Sequence, residues 1–188
     1  LYDIKQTPTY SMRALAFHEA IPGHHLQVAL NLENENLTLY RRFGYGTSAF
    51  SEGWALYAER LALESGLADD PYDKLGVLQS ELFRAVRLVV DTGIHFKRWT
   101  REEAMAYMKR VTGMSDTEVS TEIERYIVWP GQACSYKVGM LKILELREKA
   151  KQEMGESFDI KDFHSAVLDQ GQPPLFIVED LVGKMLRK

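Results

Sequence analysis

The chain has 188 residues, with 23 Lys and Arg against 27 Asp and Glu, for a formal net charge of −4. That balance excludes a strongly basic nucleic-acid binder. A composition 45% apolar and 27% charged excludes a disordered or fibrous chain. The length suits one domain with a sizeable core. No apolar run is long enough to span a bilayer, and no signal-peptide pattern opens the sequence. The single Cys134 has no internal disulfide partner and leaves the redox compartment open. Because the chain opens on Leu1, it reads as part of a longer protein, with room for a signal or lipid anchor upstream.

The periodicity is helical nearly throughout, with apolar residues recurring at three and four. A first helix is expected from about Ser11 to Leu32, with Pro22-Gly23 as a point where it can break. A polar loop from Glu33 to Leu37 and a connection through Gly44 and Gly46 come next. The second helix starts near Thr47 or Ser48 and ends at Gly66, a suitable C′ glycine. Asp70-Pro71 pairs an N-cap with proline at the first helical position and opens a third helix to about Arg98. Two capping boxes, Thr100-x-x-Glu103 and Ser115-x-x-Glu118, start helices ending near Gly113 and Trp129. Pro130-Gly131 breaks the chain before a helix to about Met154. Asp159 starts a short helix, and Pro173-Pro174 the last. The expectation is one all-α domain of about eight helices, without repeats or linkers.

The densest chemistry lies in His18-Glu19-Ala20-Ile21-Pro22-Gly23-His24-His25, which holds three of the five histidines. A metal-peptidase helix carries His-Glu-x-x-His, which puts two imidazoles on one face with a carboxylate beside the first. Here position i+4 is Pro22, so the second histidine is His24 or His25. On a regular helix i+7 lies about 10 Å along the axis, too far for one zinc. A bulge or kink at Pro22-Gly23 would bring His24 alongside His18. The competing reading is an amphipathic helix with surface histidines.

The stretch Arg13 to Gln27 resembles the signature of the bacterial family catalogued as domain of unknown function 885. That family consists mostly of predicted zinc-peptidase-like proteins, often exported. It is similar in turn to the gluzincin peptidases, especially the thermostable carboxypeptidase Taq and thimet oligopeptidase families. The Taq-type helix reads His-Glu-Ala-Gly-His-Ala-Leu, and this chain reads the same way if Ile21-Pro22 is an insertion. That alignment makes His24 the second ligand, with His25 as the alternative. The resemblance implies that this chain, residues 1–188, is the C-terminal catalytic portion of a larger helical protein. The N-terminal remainder would then pack on it. It also implies export, a periplasmic place or a lipoprotein anchor, while leaving the cytoplasm open.

The same resemblance implies a third ligand, a Glu from a following helix, and Ser51 to Glu59 supplies Glu52. Glu52 sits in an apolar run, where a carboxylate needs a cation or metal partner. Its alternative is a first-turn Glu favoured by the helix dipole. Glu59, two turns on, is a supporting or surface group. On the third helix Arg84, Arg87, Asp91 and His95 share one face, and the spacing pairs Arg87 with Asp91 and Asp91 with His95. A solvated face gives the same spacing. Arg87 to His95 also resembles a recurrent motif of the same family. On this reading His95 orients or stabilises the reacting carbonyl, and Arg87 binds a substrate carboxylate or ties Asp91 in place. Tyr126 to Gly139 resembles the Taq family's Tyr-Phe-Pro-Thr-Tyr-x-Leu-Gly. That match makes Tyr136 the oxyanion donor, with Tyr126 and Gln132 as second candidates. A buried tyrosine filling the core is the alternative. Cys134 reads as packing, and His164 has no assigned role.

The sequence thus predicts a zinc-dependent hydrolase acting on a peptide or small amide substrate, carboxypeptidase-like by resemblance. His18, His24 and Glu52 hold one divalent ion, and Glu19 is the general base. Tyr136 or His95 stabilises the oxyanion. Arg87, Tyr126 and Gln132 contact substrate. The disrupted spacing motivates the alternative of a non-catalytic metal-binding or helical interaction domain derived from a peptidase.

Overall fold

The computed structural model describes residues 8–44 and 46–187. They form ten α-helices and no strand. In chain order these are α1 (Met12–Glu19), α2 (His24–Glu33), α3 (Leu39–Phe43), α4 (Ser48–Glu64) and α5 (Pro71–His95). Then come α6 (Arg101–Thr112), α7 (Asp116–Val128), α8 (Gln132–Met154), α9 (Ile160–Leu168) and α10 (Leu175–Met185). The all-α expectation holds. The helix count exceeds eight for two reasons. The expected first helix divides at residues 20–23, and the connection before Gly44 contains α3, started by Thr38, whose side chain accepts from the Arg41 N–H.

Local chemistry sets most boundaries. Asp70 accepts from the Tyr72 N–H at 2.8 Å, and Pro71 opens α5. Both capping boxes form as reciprocal bonds at the starts of α6 and α7. Gly113 ends α6 at φ 71°, where only glycine is unstrained. α5 stops at His95, short of Arg98.

Helix α4 is the axis of the molecule. Phe50, Trp54, Leu56, Tyr57 and Ala62 are all buried, so α4 is covered on nearly every side. It meets α8 backbone to backbone. A Cβ on Gly53 would lie 2.5 Å from Gly139 Cα, and one on Gly139 would lie 1.8 Å from the Ala49 carbonyl oxygen. The paired glycines let two helices touch where side chains would hold them apart. One core joins Phe50, Trp54 and Tyr57 of α4 to Met140, Ile143 and Leu146 of α8, closed by α9 and α10. A second joins Val86 and Val90 of α5 to Met108 of α6 and to Ile123 and Tyr126 of α7. Each large buried apolar side chain contributes about 1.5–3 kcal/mol. The α4–α8 contact also positions polar groups. By bringing Gly53 against Gly139 it fixes where the neighbouring Glu52 stands relative to α8, which carries Tyr136 about one turn before Gly139.

Candidate metal centre

The break between α1 and α2 is built around Gly23. A Cβ there would fall 1.9 Å from the His18 carbonyl oxygen and 2.4 Å from that of Phe17. Only glycine can lie that close to the end of α1. The Ile21–Pro22 bond is cis. The carbonyl of Pro22 accepts from the Trp54 indole N–H at 2.9 Å, which pins the connection to α4. His18 therefore stands in the last turn of α1 and His24 opens α2. The rings meet edge-on, their centroids 4.9 Å apart. The expected kink is thus a complete break: two helix ends present the two imidazoles. His25, next to His24, is exposed and outside the cluster.

Glu52 rises from the second turn of α4 between the two rings. Its carboxylate lies 3.5 Å from His18 Nε2 and 3.3 Å from His24 Nε2. Among the described residues, His18, His24 and Glu52 form a cluster with one ligand atom each, all within 4.8 Å of one another. These separations are long for hydrogen bonds, which peak at about 2.9–3.0 Å. They match the edge of a tetrahedron of metal–ligand bonds near 2.0–2.1 Å, an edge of about 3.3 Å. Two imidazole nitrogens and one carboxylate oxygen are a donor set that can hold a divalent transition-metal ion. The residues present fit such an ion.

The second coordination layer supports the same geometry. Glu59, buried, meets His18 Nδ1 at 2.7 Å. With Nδ1 engaged by Glu59, Nε2 is the ring nitrogen that faces Glu52. His24 Nδ1 stands 3.5 Å from both Gln27 Oε1 and Ser51 Oγ. Burial works against the Glu52 carboxylate, but His18 and His24 outweigh it and bring the group down to about 2. Burial likewise opposes a charged His18, yet Glu52 and Glu59 together raise its pKa. Glu59 lies one heptad after Glu52 on the same face of α4, and that spacing was the available signal for its role.

Tyr136, half-buried, lies over His18 with ring centroids 6.2 Å apart and planes within 23°. Gln132 Nε2 stands 3.5 Å from the Tyr136 hydroxyl, while Gln132 Oε1 accepts from Arg125 at 2.6 Å. Glu19 is exposed at the end of α1. The structure thus sets the Tyr136 ring beside His18, and Gln132 beside the Tyr136 hydroxyl.

Other expected site residues are engaged elsewhere. Tyr126 is fully buried. Its hydroxyl accepts from Arg87 Nε at 3.0 Å and donates to Glu122 at 2.5 Å, so both its bonds are made within the protein. Arg87, only 6% exposed, pairs with Glu122 at 3.0 Å instead of Asp91. Asp91 accepts from the Gly131 N–H at 3.0 Å and so caps α8. His95 Nε2 bonds the Tyr126 carbonyl at 2.9 Å. The i, i+4 pairing expected along α5 is replaced by contacts to α7 and to the α7–α8 turn, because Arg87 and Asp91 are buried against them. Cys134 is half-buried, and burial together with Asp91 pushes its thiol up to about 11, which suits packing.

The structure matches "the putative lipoprotein from Colwellia psychrerythraea" at 52% identity and a TM-score of 0.95, covering 100% of this chain and 32% of that one. It matches "a putative lipoprotein of unknown function from Shewanella oneidensis" at 32% identity and a TM-score of 0.87, covering 97% and 33%. The chain thus spans about a third of the length of each relative. No curated protein matches. None of the helices described is long and apolar enough to cross a membrane. A family model matches residues 1–182, and the chain belongs to the family described as bacterial protein of unknown function (DUF885).

Proposed function

We propose that this chain carries the zinc centre of a gluzincin-like hydrolase acting on peptide or small amide bonds, carboxypeptidase-like in character. The observation that carries the reading is the Glu52 carboxylate set 3.3–3.5 Å from two Nε2 atoms, with Glu59 behind His18. His18, His24 and Glu52 would hold the ion. When bound, it supplies Lewis-acid polarisation and a more acidic water. Glu19, beside the first ligand, accepts a proton at its carboxylate and returns it to the leaving amine. Tyr136 donates its hydroxyl to the oxygen that gains charge, and Gln132 orients that hydroxyl. Arg87, tied to Glu122, braces the Tyr136 ring at 4.6 Å. Exposed Leu75, Leu78 and Leu82 on one face of α5 suit packing by the rest of a longer protein. The lipoprotein relatives support export.

One observation favours a second reading, a metal-binding domain without turnover. Glu19 is exposed and makes no hydrogen bond among the described residues. Glu19→Gln separates the two. Retained zinc with loss of peptide hydrolysis supports the hydrolase; full activity in the variant overturns it.

A further inference from the structure

We propose that Arg84 anchors a substrate carboxylate, close to the amide that is cut, at the wall between the metal centre and the neighbouring cavity. The inference rests on the hydrolase reading above. Arg84 and Arg87 stand one turn apart on α5, and both guanidinium groups lie over the Tyr136 ring, at 5.7 and 4.6 Å. Their partners differ. Arg87 has the Glu122 carboxylate. Arg84 hydrogen-bonds only to Ser80, donating to its hydroxyl at 2.6 Å and its carbonyl at 3.4 Å. Among the described residues no carboxylate forms a salt bridge with Arg84, and its Nε is buried without a partner. A guanidinium in that position, with a second cation beside it, is costly until an anion neutralises it. Burial pulls its pKa down, while Glu59 and Glu52, acting from a distance, hold it up.

The surroundings say what the anion is attached to. Arg84 lines a cavity of about 220 Å³ together with Ala14, Gly76, Ser80, Phe83 and Met114. Glu118 also borders it, but its Oε2 accepts from the Ser115 N–H and hydroxyl in the α7 cap. The space is below the roughly 300 Å³ of sites for drug-sized ligands and suits one small residue. Helix α1 runs from this cavity to the metal centre, with Ala14 in the wall and His18 one turn on. Tyr136 spans the same gap, with Arg84 over its ring and His18 against it. A substrate with a carboxylate on the residue beyond the scissile carbonyl meets both ends. This gives Arg84 the anchoring role that the sequence assigned to Arg87.

The test uses zinc-loaded protein and two probes, mercaptoacetyl-alanine and its primary amide, measured by titration calorimetry. The thiolate addresses the metal in both, and only the acid offers a carboxylate. The acid should bind about tenfold or more tightly than the amide, as a charge-assisted contact implies. Arg84→Gln should abolish that difference while leaving amide affinity unchanged, and Arg84→Lys should restore part of it. Equal binding of acid and amide to the wild type, or a preference that survives Arg84→Gln, overturns the inference and leaves the metal reading intact. Failure to take up zinc, or to bind either probe, sinks the metal reading and this inference with it.

Discussion

Replacing Gly23 with Ala tests how the chain builds a metal centre from a broken helix. The added Cβ would stand 1.9 Å from the His18 carbonyl oxygen, 2.4 Å from that of Phe17 and 2.5 Å from the His18 carbonyl carbon. All three are backbone atoms, so no side chain can turn aside. To reach a tolerable 3.0 Å the two segments must part by about 1 Å, and the segments are those carrying His18 and His24. Metal sites hold their ligand distances to about ±0.2 Å. Zinc affinity should therefore fall by about 100-fold, the upper end of what disturbed ligand support costs. Overpacking should cost about 2 kcal/mol, which for a chain of this size lowers Tm by about 4–8 °C. Gly113→Ala is the control. Gly113 has φ +71° and nothing within 4 Å of a new Cβ, so its variant meets only backbone strain of about 1 kcal/mol. Chelator competition measures affinity, and thermal melting measures stability. Wild-type zinc affinity in Gly23→Ala would refute the reasoning. An equal affinity loss in Gly113→Ala would show that general destabilisation, not the break, is responsible.

Two further outcomes concern buried charges. Glu122→Ala leaves the Arg87 and Arg125 guanidinium groups without the carboxylate they share, and Arg87 is buried. Orphaning a buried charge costs about 3 kcal/mol or more, so melting should show Tm lowered by about 6–12 °C; an unchanged Tm would contradict the pairing. His164 carries a pH dependence: burial, with the nearby Arg147 adding to it, holds its pKa down at about 4. Arg147 donates to the Tyr57 hydroxyl, which in turn donates to His164 Nε2 at 2.8 Å, so the fold accepts the neutral ring. The folded pKa lies below the unfolded value of 6.5, so this stability is present above pH 6.5 and is lost as pH falls towards 4. Urea unfolding at pH 7 and pH 5 should show a smaller loss in His164→Gln than in wild type; equal losses would contradict it.

The sequence carried the local features of the fold because their causes are local. Asp70, Thr100 and Ser115 cap helices a few residues away, and each bond forms where the pattern put it. The Pro22-Gly23 pair announced an interruption, but not that α1 ends and α2 begins there. That depends on Gly23 lying against the Phe17–His18 backbone. Helix α3 escaped notice because five residues are too few for periodicity to register. The clearest gap is on α5. Spacing paired Arg87, Asp91 and His95 with one another, whereas their partners are Glu122, Gly131 and Tyr126, far along the chain. Which face of a helix is covered, and by what, is a tertiary fact. The same limit hid the unpaired Arg84 and left Glu59 undecided between support and surface.

The most direct test of the metal centre is elemental analysis of purified wild type, His24→Ala and His25→Ala. The account predicts about one zinc per wild-type chain, lost in His24→Ala and kept in His25→Ala, since His24 faces Glu52 at 3.3 Å and His25 is exposed. A folded wild type that retains no transition metal, or zinc that survives His24→Ala, would contradict it.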